Sequence, residues 1–163
     1  MGIKNIRLAA PLLSIAAAIL SACATGDQRS LVSSADDRCQ LAPLEVVNQF
    51  SDLFYRQKKV GQAFEQWVHP DYIQHKPTLP NGREPVVSFL EKLLERYPDR
   101  IFTIHRVIAS DDLVAVHYHS QSNPEDAGFA VVDIFRVEDC LIVEHWDVVQ
   151  PVPEQSANDN TMF

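Results

Sequence analysis

Glycine is scarce in this chain, with five in 163 residues, and none lies in a Gly-rich loop able to cradle a phosphate. The Gly-x-Ser-x-Gly turn is absent, and Cys140 sits in a turn with no evident base beside it, so nucleophilic catalysis has little support. Basic charge is also short. Fourteen Lys and Arg face 22 Asp and Glu, and no basic cluster exists, which argues against a nucleic-acid partner. No internal repeat or low-complexity run is present. Beyond residue 20 there is no further long apolar stretch, so the remainder reads as a soluble domain.

What is there begins with a leader. Lys4 and Arg7 precede a thirteen-residue apolar run, Leu8 to Leu20, that is too short to span a bilayer comfortably and suits a signal-peptide core. Leu20-Ser21-Ala22-Cys23 then resembles a bacterial lipobox, in which cleavage leaves Cys23 as the lipidated N-terminus; an ordinary signal peptide with an incidental cysteine is the alternative. Ala24 follows, rather than Asp, so the resemblance implies a lipid anchor on the periplasmic side of the outer membrane. Residues 1–22 are therefore read as a lipoprotein signal peptide and 23–40 as a flexible tether. Losing Lys4 and Arg7 moves the formal charge from −8 to −10. Cys39 and Cys140 remain in a compartment that permits disulfides, either as a bridge contributing ~2–4 kcal/mol or as two unrelated thiols.

Apolar periodicity predicts a helix from Leu41, marked by Leu44, Val47, Phe50/Ser51 and Phe54 with Lys58 and Lys59 at its C-terminal end, a short one carrying Ala63, Phe64, Trp67 and Val68, and a third from Glu84 to Tyr97. The buried stripe expected on the third is Val86, Val87, Leu90, Leu93, Leu94 and Tyr97. A short strand, Tyr72 to His75, stands between the second and third helices. Four strands follow, near 100–109, 113–120, 129–137 and 141–149, with Asp139-Cys140 as the last turn. Helices followed by sequential strands define an α+β domain over residues 41–150, with 151–163 as a C-terminal tail.

The final hairpin carries acids where a plain one would be apolar. Alternation puts Val131, Asp133 and Phe135 on one face, and Val143, His145 and Asp147 on one face of the next strand. Buried carboxylates are tolerated chiefly when paired or when they work. His75, His117 and His119 are expected to line the same side of the sheet, the last two sharing a face with Leu113 and Ala115. This gives a polar set in an apolar wall, the usual make-up of a small-molecule pocket. His117-x-His119 could supply two imidazoles to a metal, but the glycine-framed spacing and glutamate of a cupin-type site are missing. Acid/base chemistry by Asp133 and Asp147 is the stronger reading. Its structural alternative is a simple ion pair with Arg106 or Arg136, the latter of opposite parity to Asp133. Phe50, Phe54, Phe64, Trp67, Phe89 and Phe102 are read as core, and Trp146 as facing away from Asp147.

Four segments together resemble the SnoaL-like branch of the nuclear transport factor 2-like superfamily. They are His69-Pro70-Asp71-Tyr72-Ile73-Gln74-His75, Gly82-Arg83-Glu84, Val132-Asp133-Ile134-Phe135-Arg136-Val137 and Ile142-Val143-Glu144-His145-Trp146-Asp147. The resemblance, over about residues 44–150, implies a cone-shaped α+β barrel, with three N-terminal helices packed on a curved, mostly antiparallel sheet, and a homodimer through that sheet. The family's polyketide cyclases use an aspartate acid/base for an aldol closure, without metal or cofactor. That aspartate falls on Asp147, their assisting histidine on Asp133, and a polar strand residue around Gln74 or His75.

The reading that results is a cofactor-independent acid/base enzyme acting on a small carbonyl compound by aldol-type, cyclase or isomerase chemistry. Asp147, Asp133 and His145 would be catalytic, with His75, His117, His119, Tyr72 and Gln74 binding substrate. The alternative is a non-catalytic periplasmic domain that binds a small ligand or a partner, and a metal site on His117 and His119 is a third option.

Overall fold

The computed structural model describes residues 40–163, so the leader, Cys23 and Cys39 lie outside the described residues. Helix α1 spans Pro43–Ser51. Pro43 supplies a preset backbone angle at the first turn, and Glu45 places a carboxylate near the positive end of the helix dipole. Val46, Val47, Phe50 and Ser51 form its buried face. The helix then widens into a π-helical segment, Asp52–Arg56, marked by the Gln57 N–H bonding Asp52 O five residues back at 3.1 Å. A regular helix advances about 100° per residue, which would carry residue 55 off the buried face. The wider turn advances less and brings both Phe54 and Tyr55 inward.

Helix α2 (Val60–Trp67) runs directly into strand β1 (Val68–Gln74), and helix α3 covers Arg83–Arg96. Strands β2 (Ile101–Ser110), β3 (Leu113–Gln121), β4 (Phe129–Glu138) and β5 (Leu141–Pro151) follow. The sheet order is β1-β5-β4-β3-β2, with β1 parallel to β5 and the other pairs antiparallel. The fold is α+β, three helices on a five-stranded mixed sheet. That sheet is open, with β1 and β2 as its edges, where a barrel was expected.

The helices cover one face of the sheet. Phe50 packs edge-on against Phe64 at 5.3 Å and Phe135 at 5.5 Å, joining α1, α2 and β4 in one core. Helix α3 is less buried than its stripe suggested. Only Val86 is fully covered, while Val87, Leu90, Leu93, Leu94 and Tyr97 are half-buried, and Leu90 and Leu93 face a cavity rather than solid core.

Two local features set the face of each hairpin residue. At Asp139-Cys140 both backbone φ angles are positive, as a two-residue type I′ hairpin requires, and Cys140 is buried there. Further along, the β4–β5 register shifts between Arg136 and Val137, where Arg136 pairs with Glu144 but Val137 with Ile142. The bulged residue is Val143. Ile142, fully buried, therefore takes the core-facing place assigned above to Val143.

Candidate active site

Between the helices and the inner face of the sheet lies a cavity of about 320 Å³, walled mainly by aromatic and aliphatic side chains. Its polar groups are few. Asp133 and Asp147 are direct cross-strand partners on β4 and β5, so both project from the inner face, as alternation predicts. The chemistry of the two differs.

Asp133 is buried, and its Oδ2 accepts the Tyr55 hydroxyl. Its Oδ1 faces His145 Nε2 at 3.3 Å. Burial, and then the charge of Asp133, raise the pKa of Tyr55 and of Tyr118 well above the ordinary phenol value, so both remain hydroxyl donors. His145 is held between the Tyr72 and Phe135 rings, 6.2 and 5.1 Å away and nearly parallel to both.

The hydrogen-bond pattern fixes the tautomer of His145. The Lys76 backbone N–H can only donate, and it donates to Gln74 Oε1 at 2.8 Å. Gln74 Oε1 is therefore an acceptor, and His145 Nδ1, 3.0 Å from it, must carry a proton. The other ring nitrogen, Nε2, is the one turned to Asp133 Oδ1. Gln74 Nε2 donates to the Tyr72 hydroxyl oxygen at 3.2 Å, which leaves the Tyr72 proton to donate elsewhere. Burial first and Asp133 second push the Tyr72 pKa far up, so this proton stays on the oxygen.

Asp147 has a different partner. Its Oδ2 accepts from Lys76 Nζ, and its side chain keeps 12% of its surface exposed. Tyr72, Gln74, Asp133, His145 and Asp147 therefore converge on one cavity, as the sequence suggested.

Three expected members do not join them. His117 and His119 sit on the opposite face of β3, because the core-facing set is Val114, Val116, Tyr118 and Ser120. His117 Nδ1 accepts from Arg106 Nη1 at 2.8 Å, and its pKa is lowered by burial, then by Arg106 and His105. His119 Nε2 donates to Ala127 O at 2.7 Å, and the Phe163 ring lies over both imidazoles. Among the described residues no group of three or more metal-ligating side chains gathers, so the His-x-His metal reading finds no third ligand. His75 also leaves the cavity, stacking on Trp146 at 4.7 Å and bonding Glu144 at 2.7 Å on the outer face. Of the aromatic residues read as core, Phe50, Phe54, Phe64 and Phe102 serve twice, since they also wall the cavity, whereas Phe89 lines the cavity but is 41% exposed and is not part of the core.

Tyr55, Tyr118, Lys76 and Arg100 are the site residues that sequence reasoning missed. For Tyr118 the signal existed, since it alternates in phase with Val114 and Val116. Tyr55 requires the π-helical turn, and Lys76 and Arg100 lie just outside regular elements, where periodicity is silent.

The chain belongs to the SnoaL-like domain family, which matches residues 47–145. No curated protein sequence matches it. Solved structures of similar fold include IdmH from Streptomyces antibioticus, described as a proposed polyketide cyclase. It is 21% identical over 67% of this chain and 92% of its own, with a TM-score of 0.54. An NTF2-like protein of unknown function from Cytophaga hutchinsonii is 15% identical over 69% of this chain and 93% of its own, at 0.56. AclR from Streptomyces galilaeus, a proposed hydroxylase, is 21% identical over 74% and 83%, also at 0.56. These likenesses establish an NTF2-like fold, on which function is decided by the site.

Proposed function

We propose that the cavity is a cofactor-independent acid/base site for a small carbonyl compound, in keeping with the cyclase and isomerase descriptions of its structural neighbours. The observation that carries this reading is the pairing of an accessible carboxylate with a free phenol proton in an apolar cavity. Asp147 would remove a proton from the carbon beside the carbonyl. Its Oδ1 has no partner among the described residues, while Oδ2 is held by Lys76. Tyr72 would donate to the carbonyl oxygen as negative charge develops there. Asp133, His145 and Gln74 act as positioning residues, fixing Tyr72 through the hydrogen bonds described above.

Asp147→Asn, with the fold checked by circular dichroism, should slow deuterium exchange beside the carbonyl of an accepted ketone by about 10²-fold or more. Full exchange in the folded variant would overturn the assignment. One observation favours a non-catalytic pocket instead, namely the Lys76–Asp147 ion pair, which neutralises the acid. On that reading ligands raise the melting temperature but no ketone exchanges.

We extend the proposal to an outer-membrane lipoprotein on the basis of the leader and Cys23. A homodimer through the outer sheet face, where Ile108 and Val148 are exposed, completes it.

A further inference from the structure

The cavity contains one cation that the proposed chemistry leaves idle. Arg100 lies one residue before β2, on the cavity side, and is 9% exposed. Its Nη1 donates to Ser120 Oγ at 2.7 Å, and its guanidinium lies 5.2 Å from the Tyr97 ring centre and 6.0 Å from that of Phe102. Its Nε is buried without a hydrogen-bond partner.

The other charges around the cavity are matched. Lys76 holds Asp147, and Asp133 is held by Tyr55 and His145. Among the described residues no carboxylate pairs with Arg100. Asp126 feels its charge only through space and is committed to Ser122 and Gly128. A buried guanidinium with most of its five donors unspent is costly unless something completes it. Aromatic stacking offsets part of that cost but satisfies none of the in-plane N–H groups.

We propose that the ligand of this cavity is an amphipathic carboxylic acid, whose carboxylate docks on Arg100 beside Ser120 while its apolar body lies along the aromatic wall. A carboxylate matches the planar fork of a guanidinium, and a single unmatched positive charge suits a monoanion better than a phosphate dianion. The position also defines polarity. Ser120 and Asp147 are two strands and about four residues apart in register, on the order of 15 Å between backbones, less the reach of the side chains. The reacting end would therefore be the one remote from the acid group. With the carbonyl chemistry proposed above, the substrate class becomes an oxo acid with several carbons between its two functions. Only this last step rests on the catalytic reading, and the anion site stands without it.

The test uses octanoate and 4-phenylbutanoate, each paired with its primary amide, titrated into the protein by calorimetry at neutral pH. Each acid should bind at least tenfold more tightly than its amide. Arg100→Gln should bring acid and amide within twofold by weakening only the acid. Ser120→Ala, which keeps the guanidinium, should weaken the acids severalfold, so the test survives if the arginine variant does not fold. Asp147→Asn should keep the full acid preference, which separates this site from the acid/base assignment. Equal binding of acid and amide to the wild type, binding of neither, or an acid preference that persists in folded Arg100→Gln would each overturn the proposal.

Discussion

Tyr55→Phe removes one oxygen atom and little volume, and that atom is the hydroxyl donated to Asp133 Oδ2. Tyr55 is 2% exposed and Asp133 6%, so water cannot replace the lost donor without opening the core. A hydrogen bond to a charged group is worth about 1.5–3 kcal/mol, and leaving a buried carboxylate short of a donor places this substitution near 2–3 kcal/mol. The cost should depend on the charge of the acceptor. In an Asp133→Asn background the amide oxygen still accepts from Tyr55, and its NH₂ can donate to His145 Nε2, so the same deletion should cost only about 1 kcal/mol. The double-mutant cycle therefore predicts a coupling of about 1–2 kcal/mol, read from urea unfolding at pH 7 with unchanged m-values. A Tyr55→Phe cost below ~0.5 kcal/mol, or one identical in the two backgrounds, would refute the buried hydrogen bond from Tyr55 to the Asp133 side chain.

Three further outcomes are expected. Burial pushes the Glu144 pKa up, but hydrogen bonds from His75 and Arg136 outweigh it and hold the carboxyl below its ordinary value. That contribution is present above the unfolded pKa of about 4.3 and is lost as pH falls through the lower folded value. Urea midpoints should accordingly fall less between pH 7 and pH ~3.5 in Glu144→Gln than in the wild type. Gly128→Ala should lower stability by about 2–4 kcal/mol in thermal unfolding, because φ is +70° and the added Cβ would lie 2.3 Å from Ser120 O. In a bacterial host, metabolic labelling with a palmitate analogue should tag the wild-type chain and not Cys23→Ala, and equal labelling would remove the lipid anchor.

Each strand of the hairpin was legible by itself, because its polar residues fall at every second position. The meeting of Asp133 and Asp147 was not, since the two-residue turn alone would oppose Asp133 to Trp146 and only the extra residue at Val143 shifts its partner to Asp147. Alternation failed on β3 for a physical reason. Leu113 and Ala115 are apolar on one side, and Val114, Val116 and Tyr118 on the other, so period two is present without saying which side is covered. Choosing the histidine side as the inner one reversed the whole strand. Val143 was lost to a bulge and Tyr55 to a π-helical turn, both departures of a single residue that composition does not announce. The family resemblance left Gln74 and His75 as alternatives on β1, where Tyr72 and Gln74 alternate toward the cavity. His75, one residue further, went to the outer face by that same parity.

The residue least visible in the sequence ties the site together. Lys76 follows β1 and precedes Pro77, whose ring restricts Lys76 to extended backbone geometry. From that position its N–H fixes Gln74 Oε1, which sets the proton on His145 Nδ1 and, through Gln74 Nε2, the orientation of Tyr72. Its ammonium meanwhile holds Asp147. The backbone of one residue thus governs the donor side of the cavity, and its side chain governs the acceptor side. The two halves would lose alignment together if the end of β1 moved. A substitution that shortens the Lys76 side chain alone would free Asp147 while leaving the tyrosine and histidine in place. Donor geometry and acceptor strength are therefore separable in this site, although both are anchored at a single position.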